Sequence, residues 1–201
     1  MKLYYAKGSC SLAVRILIHE LNIPCEFESV DLKSKKTEHG EDYLKLNPKG
    51  SVPALLLDNN ELLTENTVIQ QYLADAYKGT TLLPSVGDMK RYRTLEWLNF
   101  VSTELHKHFS PFFSPNIPDE LKQDVYKLIL EKKLTLADEH LKNNKFLMGN
   151  FSLPDAYLFV VLRWIPYAKL DITNWPNLAR FTEDMKQRKA VQTSLQEEGL
   201  S

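Results

Sequence analysis

Cysteine is scarce in this chain of 201 residues: there are two, Cys10 and Cys25. With a helix between them they stand at its two ends, about 20 Å apart at 1.5 Å per residue, too far to form a disulfide. Long apolar runs are missing as well. The stretch Leu158 to Leu162 stops at Arg163, well short of the roughly 20 apolar residues that a membrane-spanning helix needs. Lys2 and Lys7 interrupt the N-terminus where a signal peptide would carry an unbroken apolar stretch. Two unpaired thiols without an export signal fit a reducing compartment, so a cytoplasmic protein with no membrane contact is expected. Charge of one sign is also absent: 25 Lys and Arg face 26 Asp and Glu, a formal net charge of −1. No block of like charge is present to attract nucleic acid. The partner is expected to be a small molecule or another protein.

What is present is strongly periodic. "KLYYA" at residues 2–6 reads as a strand and ends at the Lys7-Gly8 turn. After Ser9-Cys10-Ser11, apolar residues recur at Leu12, Ile16, Leu17 and Leu21, a helical spacing closed by Asn22 and Pro24. "EFESVDL" predicts a second strand through Phe27, Val30 and Leu32, "KSKKTEHGED" a loop, and "DYLKL" a short helix ended by the "NPKG" turn. "VPALLLD" and "ELLT", joined by Asn59-Asn60, predict a hairpin with a tight turn. From Glu65-Asn66-Thr67 a helix is expected to bury Val68, Ile69, Tyr72, Leu73 and Ala76. A βαβ crossover followed by a hairpin and a covering helix makes a mixed-sheet α/β domain over residues 1–78. "KGTTLLPSVGD" has the composition of a linker, placed at 79–87, and 88–201 is then an all-α domain. There, Ser152 to Asp155 forms a capping box with Asp in place of Glu, opening the apolar helix "AYLFVVLRWIPYA".

Five features could carry chemistry. Cys10 falls at a helix start, where unpaired backbone N–H groups and the macrodipole favour a thiolate; the plainer alternative is an inert buried cysteine. Ala13 stands where a Cys-x-x-Cys motif would have its second thiol, so redox cycling at Cys10 needs an external thiol. Val52-Pro53 precedes a strand: a cis bond there would turn the Val52 backbone toward a ligand, whereas an ordinary edge-strand proline would do nothing. Glu65 and Asn66, at a helix start, suit an amino-acid head group or simply cap the helix. Asn99, Thr103 and His106 fall at i, i+4 and i+7, forming either a wet face or a ligand wall. His106-Lys107-His108 is too local for metal ligation, because adjacent helical residues point apart, and no metal is assigned.

In order along the chain, "KGSCSLA", "NPKGSVPALLLD", "LLTENTVIQQYLAD", "EWLNFVSTELHKHF" and "DAYLFVVLRW" resemble a bacterial, cysteine-containing beta-class glutathione S-transferase over the full length. The resemblance implies a thioredoxin-like α/β N-terminal domain, an all-α C-terminal domain and a homodimer. It implies an enzyme that uses glutathione as cosubstrate, with no tightly bound cofactor, to conjugate small electrophiles or to reduce thiols and peroxides through Cys10. Carried onto this chain, Cys10 would lie by the glutathione sulfur and be able to form a mixed disulfide with it. Lys35 would meet the glycyl carboxylate, the Val52 backbone before Pro53 the cysteinyl moiety, and Glu65 with Asn66 the γ-glutamyl group. Asn99, Thr103, Glu104 and His106 would line the wall from the helical domain, with His106 assisting the sulfur chemistry. The family usually has Ser after the glutamate, where this chain has Asn66. Phe109, Phe112, Phe113 and Trp164 would bound the electrophile site. The alternative is a non-catalytic relative that keeps the fold as a ligand-binding or transcription-associated protein.

Overall fold

In the computed structural model, which describes residues 1–200, the N-terminal aromatic run is strand β1 (Lys2–Tyr5). Leu3 and Tyr4 point to opposite faces of the pleat and both are buried, so β1 is covered on two sides. It runs parallel to β2 (Glu26–Asp31), with Leu3 opposite Phe27, and antiparallel to β4 (Ala54–Leu56), with Leu3 opposite Leu55. The two-residue β3 (Lys36–Thr37) and β5 (Leu62–Thr64) complete a sheet of order β3-β2-β1-β4-β5. On one face, Leu3 and Leu55 pack against Val14 and Ile18 of α1 (Ser11–Glu20) and Ile69 and Leu73 of α3 (Asn66–Ala76). On the other, Tyr4, Val30 and Ala54 meet Val52 and Tyr43, the first residue of α2 (Tyr43–Leu46).

Four expectations are corrected in this part of the chain. The 33–42 loop contains β3, held by antiparallel pairing of Val30 with Thr37. In β2 the deeply buried residues are Glu28 and Val30, whereas Leu32 lies past the strand end and is exposed; Glu28 is tolerated inside because Lys2 Nζ sits 2.8 Å from it. The hairpin connection is five residues long, closed by Leu57 N–H donating to Glu61 O. In α3 the buried set is Asn66, Ile69, Gln70, Leu73 and Ala74, with Val68 and Ala76 outside. The helix is thus rotated from its most apolar face, because two polar side chains satisfy each other within it, as described below.

The division of the chain also differs from the expected cuts at 78 and 87. One compact unit is Met1–Thr80 together with the segment from Arg188, and the other is Thr81–Gln187. Leu82 and Leu83 are buried, and Leu82 O accepts from Leu153 N–H, so half of the supposed linker is packed into the second unit. The last helix, α10 (Lys189–Glu197), returns to α1, where Arg15 meets Glu197 and Glu198 and Arg188 pairs with Glu20.

The second unit is helical. α4 (Met89–Phe100) runs through a widened π turn at Val101–His106 into α5 (Lys107–Phe113). α6 (Asp119–Leu121) leads through a second π turn, Lys122–Lys127, into α7 (Leu128–Leu141). α8 (Leu153–Leu162) is buried at all ten positions, and α9 (Pro176–Lys186) follows. A helix apolar all round belongs at the centre of its unit. Its capping box forms as expected: Asp155 accepts from Ser152 N–H and Ser152 Oγ. Among the described residues no helix is long and apolar enough to cross a membrane, and no group of three or more His, Cys, Asp or Glu is placed to hold a metal ion.

Candidate active site

The turn between β1 and α1 presents Cys10. Ser9 and Ser11 shape it: Ser11 Oγ donates to Ala6 O, Ala6 N–H donates back to Ser11 Oγ, and the two serine hydroxyls are 2.8 Å apart. Ser11 is fully buried, and Tyr5 stacks on the Arg15 guanidinium at 4.2 Å. The first backbone donors of α1 are already taken, since Ser11 N–H goes to Ser9 Oγ, Leu12 N–H to Ser9 O and Ala13 N–H to Cys10 O. This corrects the expectation of unpaired N–H groups at this helix start; what is left to act on the sulfur is the helix dipole.

Cys10 is buried, and its Sγ donates to Val52 O at 3.4 Å. That bond is available to the thiol and not to the thiolate, which has no proton to give. The Val52-Pro53 peptide is cis. The approach to it is tied down by Asn47, whose amide donates to Ser51 O at 2.8 Å, and by Tyr43, whose hydroxyl donates to the same oxygen at 2.8 Å. Neither Asn47 nor Tyr43 is a site candidate from the sequence; their traces there are the short "DYLKL" helix and the "NPKG" turn that ends it. Cys25, by contrast, is a half-buried packing residue whose thiol is pushed up to about 11 by desolvation, leaving it protonated and inert.

Asn66 begins α3 and turns inward. Its Nδ2 donates to Cys10 O at 2.6 Å, and its Oδ1 accepts from Gln70 Nε2 at 2.5 Å. Cys10, Val52, Pro53 and Asn66 are therefore brought together, but the Asn66 amide holds the backbone of Cys10 and does not reach outward. Its neighbour Glu65 is exposed and sits at φ 72°, and Lys35 sits at φ 57°. Non-glycine residues in that region cost about 1–3 kcal/mol and concentrate at ligand-binding positions. Both side chains are engaged within the unit: Lys49 Nζ lies 2.6 Å from Glu65 Oε1, and Lys35 Nζ donates to Gly50 O at 2.7 Å. An incoming ammonium would share Glu65 with Lys49.

The helical residues divide. Asn99 and Thr103 are exposed, and Thr103 Oγ1 donates back to Asn99 O, one turn earlier. Glu104 pairs with Lys133 at 2.7 Å, whose hydrogen bond holds the carboxyl below its usual range. His106, at the end of the widened turn, leaves this wet stripe: its Nδ1 is 2.5 Å from the Tyr157 hydroxyl, and the ring meets Trp164 edge-on with centroids 4.9 Å apart. Of the four aromatics expected around an electrophile, Phe109 and Trp164 are core. Phe113 is 46% exposed and stacks on both Trp164 and Tyr167. The surface end of this ladder is the part a ligand can reach.

Burial, aided by the neighbouring Lys107 charge, lowers the His106 imidazole from 6.5 to about 4. With the folded-state value depressed, the unfolded chain takes up the proton first as pH falls. Stability present above pH 6.5 is therefore lost between pH 6.5 and 4, by about 3 kcal/mol from this residue at 1.36 kcal/mol per unit. Urea unfolding across that range checks it: the His106→Gln variant should lack this component of the slope, and an unchanged slope would refute it.

Comparison with known proteins places this architecture in a family. Residues 8–76 match the glutathione S-transferase N-terminal domain and residues 100–189 the glutathione S-transferase C-terminal domain. The chain belongs to the glutathione S-transferase family. It is 47% identical to glutathione S-transferase GstA of Escherichia coli O157:H7 over the whole of both chains. Among solved structures it is similar to a bacterial beta-class glutathione S-transferase of Sphingomonas chungbukensis, with TM-score 0.95 and 38% identity over the whole of both chains. It is also similar to a sphingomonad glutathione S-transferase complexed with glutathione, with TM-score 0.94, 41% identity and full coverage of both.

Proposed function

We propose that this chain conjugates glutathione to small electrophiles, with the first unit binding the tripeptide and Cys10 standing beside its sulfur. The observation that carries the reading is the Cys10 thiol at the start of α1, bonded to the carbonyl of Val52. A ligand cysteinyl group pairing with the Val52 backbone would thereby lie next to Cys10. Lys35 faces the glycyl carboxylate after releasing Gly50 O, and Glu65 with the Asn66 backbone N–H receives the γ-glutamyl group. Within the helical unit, Asn99, Thr103, Glu104 and His106 are the residues assigned to glutathione, in a homodimer, and Phe112, Phe113 and Tyr167 those assigned to the electrophile. In conjugation the glutathione thiolate attacks the electrophile and Cys10 is not consumed. With glutathione disulfide, the Cys10 thiolate attacks one sulfur, the S–S bond breaks, and a mixed disulfide forms as one glutathione thiolate departs.

The test uses a glutathione affinity resin, a chromogenic electrophile and intact-mass analysis after exposure to glutathione disulfide. The wild-type protein is retained, turns over and gains one glutathione. Cys10→Ala gains none, and His106→Ala loses turnover. Failure of the wild-type protein to be retained would overturn the enzyme reading in favour of a non-catalytic relative.

A further inference from the structure

We infer that Tyr157 is a positioning residue for His106: its hydroxyl donates to Nδ1 and so holds the imidazole in the tautomer with its proton on Nε2. The ring then offers an N–H donor, not a base, on its other side. The inference rests on the assignment of His106 to the glutathione reaction and specifies what the residue does there.

The geometry comes from two elements of one unit. His106 closes the π turn at Val101–His106, and widened turns of this kind re-aim a single side chain and recur at functional sites. Tyr157 lies in α8, which is buried along its whole length, and is itself 1% exposed. Its ring meets the imidazole edge-on, with centroids 5.8 Å apart, and Trp164 meets it from a second direction at 4.9 Å. Packed between two aromatic edges, the imidazole has its plane set; the 2.5 Å contact to the phenolic oxygen then sets its protons. A phenol is a good donor and a weak acceptor, while a neutral imidazole has one nitrogen of each kind. The favourable pairing is O–H to Nδ1, which leaves the proton on Nε2. Burial and the adjacent Lys107 keep the ring neutral at pH 7, so both nitrogens do not become donors together. A fixed neutral N–H donor suits an anionic or strongly polarised atom, such as a thiolate or a carboxylate oxygen. It acts by stabilising charge already formed, not by removing a proton.

Nitrogen-15 NMR of histidine-labelled protein at pH 7 reads the two ring nitrogens directly, with His106→Gln assigning the resonances. Wild-type His106 should show a protonated Nε2 and an unprotonated Nδ1 that accepts a hydrogen bond. In Tyr157→Phe the Nδ1 resonance should move toward the value of a free, unbonded ring nitrogen, and turnover should fall roughly fivefold, the worth of one hydrogen bond. A protonated Nδ1 in the wild-type protein, an unmoved Nδ1 in Tyr157→Phe, or wild-type turnover in that variant would each overturn the inference. Full turnover in His106→Ala would instead overturn the assignment of His106 to the reaction, with the tautomer still decided by the spectrum.

Discussion

Replacing Asp155 by alanine lowers the unfolding free energy of the helical unit by about 3–5 kcal/mol, several times an ordinary cap loss of about 1 kcal/mol. The carboxylate is fully buried and satisfies three donors: Oδ1 accepts from Leu147 N–H at 2.8 Å, and Oδ2 from Ser152 N–H at 2.8 Å and Ser152 Oγ at 2.7 Å. Truncation strands two buried amides, each worth about 1–3 kcal/mol when left without a partner. It also removes the negative charge from the N-terminal turn of α8, where the dipole favours it. Because α8 is the central helix, the loss spreads through its unit. Asp155→Asn keeps an acceptor and should cost about half as much. Thermal unfolding should register a fall of roughly 10 °C for the alanine variant; a fall of a degree or two would show that the Ser152–Asp155 cap is peripheral.

Glu198→Ala should cost a similar amount, about 3–5 kcal/mol, the usual result of removing one partner from a buried ion pair. The Arg15 guanidinium is 2% exposed, with its Cζ over the Tyr5 ring at 4.2 Å and the Phe27 ring at 3.9 Å. Glu198 approaches its Nε at 3.2 Å from a fully buried position, and Glu197 bonds its Nη1 at 2.8 Å from a side chain that is 38% exposed. Losing Glu198 leaves a buried cation facing a partner that water already screens. The same carboxylate accepts from Gly8 N–H at 2.8 Å, two residues before Cys10, so the variant also loosens the turn that presents the thiol. Glu197→Ala should cost less than Glu198→Ala, about 1–3 kcal/mol, because it removes a hydrogen bond from the buried Arg15 Nη1 while its own side chain is 38% exposed. Hydrogen exchange is the discriminating measurement: in Glu198→Ala, protection should fall in both α10 and residues 6–9. Loss confined to α10 would show that the tail does not brace the Cys10 turn.

Where the predicted site rested on local signals, it was legible. A helix beginning at Ser11, the hairpin before Glu65 and the Ser152–Asp155 box follow from period, turn residues and capping chemistry, all set by neighbours within a few residues. The same holds for the lone thiol at a helix start and for Ala13 in place of a second cysteine. Asn66 shows where such reasoning ends. Its position at a helix start suits an amino-acid head group or a cap, but its side chain serves the carbonyl of Cys10, a residue 56 positions earlier. Gln70 is likewise buried on a helix whose apolar pattern would have put it outside. His106 stood in a stripe whose spacing fits either a wet face or a ligand wall, and the π turn carries it to Tyr157.

By itself, then, the sequence determined most of the elements and their order, the character of each unit and a cysteine at the head of α1 with Ala13 in place of a second thiol, because each depends on short-range periodicity and residue chemistry. Tertiary structure alone decided that the chain returns after residue 187 to brace that helix, that Asn66 holds the carbonyl of Cys10 and that the Cys10 thiol meets Val52 O. These are contacts between residues far apart in the chain. Long-range packing chooses such pairs from many that local preference leaves equally open.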